Sequence, residues 1–291
     1  MQKIGLIVNF KKQQAVDEVK RVASLATGMG FELFADAATA KLSPTISLCD
    51  PKLFSRLGVE GVVVLGGDGT MLEASHRLAG QGLPMMGLNI GSLGYLTSVE
   101  SSHFNEALQQ LREGRFTVGS RTALSVRIVR KDGFIDMLPD ALNDVVTDHG
   151  ARAKAVELEL LLDERPVAQF LCDGIIVATP TGSTAYSLSA GGPIVMPDAA
   201  ALVVNVVCPH TLTFRPLVVR DTMRIAIRVT QCPVPMVVSS DGRDNAKLEA
   251  GDCVEVVRSC NEVPVIELDG YNPCDVLRRK LRWGHTLRNN H

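Results

Sequence analysis

Hydrophobic positions in the first part of the chain follow a strand–helix rhythm. Uninterrupted apolar runs at 4–8, 62–65 and 84–88 predict buried strands, and apolar residues at helical spacing between them predict the intervening helices. Such alternation is typical of an open, mostly parallel sheet with helices on its faces. We therefore predict an α/β domain over residues 1–115.

From about residue 116 the pattern becomes that of many short strands. Apolar and polar residues alternate along 156–162, and the residues at 131–133 have the composition of a hairpin turn. Short strands separated by turn signals predict an antiparallel, sandwich-like, β-rich domain over residues 116–262. The last segment, 263–291, carries the signals of one helix, which begins after Asn272.

Composition and charge narrow the class of protein. Of the 291 residues 46% are hydrophobic and 21% charged, which is ordinary for a folded chain, and the formal charge of −2 offers no field that would recruit nucleic acid. The seven cysteines show no C-x-x-C spacing, so neither a disulfide framework nor a zinc site is indicated, and we predict no protein-borne metal site. No apolar run approaches the roughly 20 residues of a membrane span. We expect a cytoplasmic protein without nucleic-acid or membrane partners.

The first candidate site is the glycine-rich loop Gly66-Gly67-Asp68-Gly69-Thr70, which follows the second predicted strand and opens a helix. Ligands of parallel sheets bind beyond the carboxyl ends of the strands, and glycines let backbone amides approach phosphate oxygens. An acid in such a loop would repel phosphate unless it binds a cation or accepts a proton from an attacking hydroxyl. The alternative is a tight turn in which Asp68 caps the helix.

The second candidate site is the stretch from Asp173 to Pro193, where a predicted strand leads into a loop crowded with hydroxyls and small residues. Small side chains let a flat ligand lie against the backbone, while hydroxyls and amides supply directional hydrogen bonds. The carboxylate of Asp173 could hold a ribose diol. The alternative is a polar loop that covers the end of a sheet.

With these motifs the chain resembles the bacterial NAD kinase family over essentially its whole length. The resemblance is carried by Gly66–Thr70, Asn89–Leu96, Asn143-Asp144, Asp173–Pro193 and Cys208–Pro216. It implies transfer of the γ-phosphate of ATP to the 2′-hydroxyl of the adenosine ribose of NAD, with Mg²⁺ or another divalent cation accompanying ATP. It further implies a site between the two domains, a chain end that returns to the first domain, and a homodimer or homotetramer.

The resemblance also assigns roles to individual residues. Asp68 is implied as the proton acceptor, with Gly69 beside the dinucleotide, and Asp173 as a contact of the nicotinamide half. The implied ribose ligands are Asn143 and Asp144. The implied adenine pocket consists of Thr184, Ala185, Tyr186, Ser187, Leu188 and Ser189. The loop expected to cradle the ATP phosphates consists of Gly66, Gly67, Gly69 and Thr70.

Two departures from the family pattern bear on binding. Asn143-Asp144 stands where the family usually has Asn-Glu, which shortens the acid by one methylene, and Leu171-Cys172 stands where many members have Arg-Gly. Lys154, Arg152 or Arg243 could supply the missing positive charge. Two other functions stay open from the sequence: a dinucleotide sensor without turnover, and a lipid kinase, which would share Gly66–Thr70 but need an apolar cleft.

Overall fold

The chain divides into two units of different architecture. One unit consists of residues 1–120 together with the C-terminal segment from 263, and the other of residues 121–262. The structure is a computed structural model, and the residues that it describes are 1–91, 94–97, 99–150, 155–234 and 236–283. Among them no helix is both long and apolar enough to span a membrane.

The first unit is built on a mostly parallel sheet. With strands numbered along the whole chain, its members are β1 (Lys3–Val8), β2 (Glu32–Ala35), β3 (Ile46–Leu48), β4 (Gly61–Gly66), β5 (Met85–Asn89), β6 (Val99–Glu100), β7 (Phe116–Arg121) and β20 (Val263–Leu268). In the described residues the order is β3-β2-β1-β4-β5-β20-β7, with β6 paired to the end of β5. Strands β1, β4 and β5 are adjacent and parallel, so their carboxyl ends meet at one edge.

Helices cover this sheet because each has one apolar face. They are α1 (Ala15–Gly28), α2 (Ala37–Ala40), α3 (Asp68–Arg77), α4 (Phe104–Glu113) and α6 (Pro273–Leu281). The buried faces of α1 and α4 pack with β1, β4 and β5 into one hydrophobic core. As predicted, the Asn272 side chain caps α6 by accepting a hydrogen bond from the Cys274 N–H.

The second unit consists of two antiparallel sheets in its described residues. One has the order β12-β11-β16-β19-β8-β9 and the other β15-β14-β13-β10-β17-β18. Their bounds are β8 (Leu124–Val129), β9 (Ile135–Ala141), β10 (Asp144–Asp148), β11 (Val156–Leu162), β12 (Arg165–Cys172), β13 (Gly174–Ala178), β14 (Ala201–Val207), β15 (Leu217–Arg220), β16 (Ile225–Gln231), β17 (Met236–Ser240), β18 (Arg243–Leu248) and β19 (Cys253–Arg258). A short helix, α5 (Tyr186–Ser189), lies between β13 and β14.

Alternating residues of both sheets meet in a shared core, as in a β-sandwich. The opposite face of the β10–β13–β14 sheet carries a second, smaller cluster in which Val146, Ile176 and Val203 pack against Ala190 and Val195. The loop that contains α5 is therefore anchored on that outer face. The predicted fold class, an N-terminal α/β domain followed by an antiparallel β-rich domain, is confirmed.

Candidate active site

The glycine-rich loop lies where the parallel sheet presents its carboxyl edge. Gly67 precedes α3, which begins at Asp68. A Cβ on Gly66 would lie 2.1 Å from the Thr70 Oγ1, so only glycine fits there, whereas a Cβ on Gly67 or Gly69 would meet no described atom within 4 Å. The space in front of Gly67 and Gly69 is therefore open, beside the N-terminal amides of a ten-residue helix. Such a place favours a phosphate group.

The Asp68 carboxylate is held by the backbone of a neighbouring loop. Its Oδ2 accepts from the Tyr95 N–H (2.8 Å), and its Oδ1 accepts from the N–H groups of Leu96 (2.9 Å) and Thr97 (3.3 Å). A Cβ on Gly94 would lie 1.9 Å from the same Oδ1. Asp68 therefore does not cap its own helix. The loop holds the Asp68 carboxyl group in place beside the opening at Gly67 and Gly69.

The C-terminal helix α6 braces this loop through an aromatic contact. The Lys280 ammonium lies 5.5 Å from the ring centre of Tyr95, within the range of a cation–π interaction. Partial burial and the charge of Asp68 raise the pKa of the Tyr95 phenol. Helix α6 thus supports the residue whose backbone amide binds the Asp68 carboxylate.

In the second unit two candidate residues stand at opposite ends of one strand pair. In the antiparallel β10–β13 ladder, Asp144 is opposite Ala178 and Asp148 is opposite Gly174. Asp173 immediately precedes Gly174, so it lies five residues along the ladder from Asp144, which is roughly 17 Å at the usual rise of a strand. That separation suits an extended ligand with hydrogen-bonding groups at both ends.

The backbone of the Asn143 turn is organised by Asp241, which sequence reasoning did not select. The Asp241 carboxylate accepts hydrogen bonds from the N–H groups of Leu142 (2.9 Å), Asn143 (2.7 Å) and Asp144 (3.2 Å). A Cβ on Gly182 would lie 1.9 Å from the Asn143 carbonyl oxygen. The Asn143 turn is therefore fixed from two sides. Near Asp241 itself, the one local signal in the sequence is the Asp-Gly pair at 241–242, which is typical of a turn.

Asp144 is a largely buried acid that accepts no side-chain hydrogen bond from the described residues. Its side chain belongs to a residue only 6% exposed, and no described residue donates a hydrogen bond to its carboxyl group. Burial, together with the nearby charge of Asp241, raises the pKa of Asp144 to about 7. A buried carboxyl group that lacks partners gains most when a ligand hydroxyl reaches it.

The pKa of Asp144 predicts a pH-dependent stability. The folded chain favours the protonated form of Asp144. Its contribution to the free energy of unfolding is therefore fully present below the unfolded pKa near 4 and is lost as the pH rises through about 7. Asparagine at this position cannot ionise. The free energy of unfolding of Asp144→Asn minus that of wild type should therefore increase by roughly 3 kcal/mol from about pH 5 to pH 8. Urea denaturation at the two pH values tests this, and a difference that is independent of pH would contradict it.

Asp241 supports the Asn143 turn through both of its carboxylate oxygens. Asp241→Asn keeps a single carbonyl oxygen for three N–H donors, so we expect the free energy of unfolding to fall by about 1–3 kcal/mol. Because the Asn143 turn loosens, the KM for the dinucleotide that the family resemblance implies should rise by about tenfold, while kcat falls less. Asp132→Asn, a change of the same kind in the exposed turn before β9, is the matched control. Steady-state kinetics that show equal, small effects for both variants would remove the positioning role.

Asp173 is half-exposed and has two neighbours from other segments. The His149 Nε2 lies 3.4 Å from the Asp173 Oδ1. The hydrogen bond and the negative charge of Asp173 raise the pKa of the Cys208 thiol. Partial burial and the negative charges of Asp148, Asp173 and Asp144 also raise the pKa of the Tyr186 phenol. Asp144, Asp173 and Tyr186 therefore belong to one electrostatic neighbourhood.

The residues expected to form an adenine pocket lie on the turn at 182–184 and on α5. Thr184, Ala185 and Leu188 are half-buried, and Tyr186 and Ser189 are exposed. Ser187 is buried, and Asn205 Nδ2 donates to its carbonyl oxygen (2.8 Å) and hydroxyl (3.3 Å). The Ser187 side chain thus anchors α5 within the protein. Lys154 and Arg152 lie outside the described residues.

The side chains near the glycine-rich loop limit how a divalent cation could be bound. In the described part of the chain, no three His, Cys, Asp or Glu side chains converge on one point. At the glycine-rich loop the side-chain oxygens that could bind a cation are those of the Asp68 carboxylate and the Thr70 hydroxyl. Mg²⁺ bound through one carboxylate and the phosphates of a nucleotide would fit this set.

Comparison with known proteins gives matches over both units. The model of the ATP-NAD kinase N-terminal domain matches residues 4–116, and that of the ATP-NAD kinase C-terminal domain matches residues 142–268. The NAD kinase of Symbiobacterium thermophilum is 40% identical over 281 residues, which cover 97% of this chain and 99% of the relative. The NAD kinase of Syntrophotalea carbinolica is 35% identical, covering 98% and 99%.

Solved structures show the same fold. The crystal structure of yeast NADH kinase complexed with NADH matches with a TM-score of 0.88 at 22% identity, covering 100% of this chain and 90% of the other. An NAD kinase from Archaeoglobus fulgidus in complex with ATP matches with a TM-score of 0.76 at 23% identity, covering 97% and 99%. With both family models and full-length relatives above 30% identity, the chain belongs to the ATP-NAD kinase family.

Proposed function

We propose that this chain is an ATP-dependent NAD kinase that phosphorylates the 2′-hydroxyl of the adenosine ribose and so produces NADP. The observation that carries the proposal is the Asp68 carboxylate, which three backbone amides hold beside an open, phosphate-binding helix N-terminus. A fixed acid in a phosphate loop suits a group that accepts the proton of an attacking hydroxyl. The names of the full-length relatives support NAD as the acceptor.

The chemistry follows from the loop's own groups. The hydroxyl oxygen of NAD attacks the γ-phosphorus, its proton passes to Asp68, and the bond from that phosphorus to the oxygen bridging the β- and γ-phosphates breaks to release ADP. The backbone amides around Gly67 and Gly69 stabilise negative charge on the phosphates and keep donor and acceptor aligned. A divalent cation that enters with ATP would neutralise charge on the phosphate oxygens.

Other residues are proposed to bind the dinucleotide. The largely buried carboxyl group of Asp144, which has no hydrogen-bond donor among the described residues, and the neighbouring Asn143 would hold the ribose, and Asp173 would contact the nicotinamide half. The segment from Thr184 to Ser189 would receive the adenine, and Lys154 would supply positive charge. A homodimer or homotetramer and a cytoplasmic location also remain predictions.

Two substrate analogues test the position of transfer. Each analogue lacks one hydroxyl of the adenosine ribose. We expect the 3′-deoxy analogue of NAD to be phosphorylated with ATP, and the 2′-deoxy analogue to bind as an inhibitor without forming product. ³¹P NMR of the natural product should show a phosphate monoester on the adenosine 2′-oxygen. Phosphorylation of 2′-deoxy-NAD would refute the assigned position. NAD binding without any ATP consumption would instead indicate a dinucleotide sensor, and ATP-dependent phosphorylation of diacylglycerol but not NAD a lipid kinase.

A further inference from the structure

The loop after β1 is attached directly to the glycine-rich loop. The Asn9 N–H donates to the Leu65 carbonyl oxygen (3.0 Å), and the Asn9 Nδ2 donates to the Thr70 Oγ1 (3.1 Å). Lys12 then folds back, because its N–H donates to the Asn9 carbonyl oxygen (3.3 Å). The position of Lys12 relative to Thr70 is therefore set by hydrogen bonds.

The Lys12 side chain reaches over the loop that follows β5. Its Nζ lies 3.4 Å from the point that a Cβ on Gly91 would occupy, and the Asn89 Oδ1 lies 3.9 Å from that point. In the sheet, β4 lies between β1 and β5. A side chain that starts in the β1 loop and ends over Gly91 must therefore cross in front of the end of β4, where Gly66 and Gly67 are.

The charge of this ammonium is uncompensated in the described part of the chain. No described carboxylate forms an ion pair with Lys12, and the Asp68 carboxylate is directed to the amides of 95–97. A Cβ on Gly67 or Gly69 would meet no described atom, so the space next to the loop is open. A cation, helix amides and open space together form a receptor for an anion carrying several charges.

We propose that Lys12 binds the polyphosphate of the donor nucleotide, so that its ammonium contacts phosphate oxygens of ATP while the α3 amides contact the same chain of phosphates. The proposal rests on the proposed kinase function and adds a positively charged contact from outside the glycine-rich loop. Lysine suits this place because its ammonium acts as a point charge on a flexible stem that can follow the phosphates.

The test compares Lys12→Met with Lys11→Met, which removes the same charge from the neighbouring exposed residue. We expect Lys12→Met to raise the KM for MgATP by about 10- to 100-fold, as for the loss of a hydrogen bond to a charged group. The KM for NAD should stay within threefold, and Lys11→Met should change neither constant by more than twofold. Calorimetric titration of ADP in the absence of NAD should show the same loss of affinity in Lys12→Met.

Several results would overturn the assignment. They are an unchanged KM for MgATP and unchanged ADP binding in Lys12→Met, an equal effect of Lys11→Met, and a rise in the KM for NAD without one for ATP. The last would place the ammonium on the pyrophosphate of the acceptor. Wild-type protein that forms no NADP would refute the kinase function itself, whereas active wild type with a normal Lys12→Met would refute only the role of Lys12. Equal melting temperatures of wild type and Lys12→Met would exclude misfolding as the cause of a raised KM for MgATP.

Discussion

Asp68→Asn is expected to lower kcat for NADP formation by about 10²- to 10⁴-fold, the usual contribution of a general base. The amide cannot accept the hydroxyl proton, although it has nearly the shape of the carboxylate. One amide oxygen also replaces two carboxylate oxygens opposite the N–H groups of Tyr95, Leu96 and Thr97. The free energy of unfolding should therefore fall by only about 1–2 kcal/mol, and the variant should stay folded.

The matched control for this change is Asp17→Asn, which alters an exposed acid in the first turn of α1 in the same unit. It should keep kcat and both KM values within twofold of wild type. Stopped and steady-state assays of NADP formation compare the two variants directly. If Asp68→Asn kept more than a third of wild-type kcat, another group would have to accept the proton.

Gly94→Ala is expected to reduce kcat by about 10²-fold or more, although residue 94 carries no chemistry of its own. Its Cβ would lie 1.9 Å from the Asp68 Oδ1 and 2.4 Å from the Thr97 Oγ1. These distances are far shorter than a van der Waals contact, so either the loop or the Asp68 carboxylate must move. Because the displaced atom is the one proposed to accept the proton, a small shift costs turnover more than binding of ATP.

Gly28→Ala is the control, because a Cβ at that position near the end of α1 would meet no described atom within 4 Å. Its activity should equal that of wild type. A double-mutant cycle tests the cause: Gly94→Ala should lower the free energy of unfolding by less in an Asp68→Ala background than in wild type, since one of the two clashes is gone. Equal losses in both backgrounds would show that Asp68 is not the group displaced.

The central sheet could be predicted from the sequence because strands buried on both faces are continuous apolar runs. β1, β4 and β5 are of this kind, and each was expected near its observed place. β20 was not predicted as a member of this sheet. It follows the β-rich domain in sequence and pairs with β5 between Val265 and Met85, which are 180 positions apart along the chain. Local periodicity contains no information on such pairing.

The sequence selects polar residues of the candidate site but not the groups that hold them in place. Asp68 and Asp173 were selected because acids next to glycine-rich or hydroxyl-rich loops call for a chemical reason, whereas Asp144 was selected only through the family resemblance. The role of Asp241 depends on backbone N–H groups 97 to 99 positions earlier in the chain, and that of the Gly94–Thr97 segment on a carboxylate 27 to 29 positions earlier. Any residue type can supply a backbone amide, so the donors leave no mark in the sequence.

The most direct test of the account is a joint measurement of ADP and NADP formed by the purified chain with NAD, ATP and Mg²⁺. We expect one NADP for each ADP with wild type, and less than about one hundredth of that rate with Asp68→Asn at equal NAD affinity. NAD binding without NADP, or ADP released without phosphorylated dinucleotide, would contradict the claim that this chain transfers phosphate to NAD.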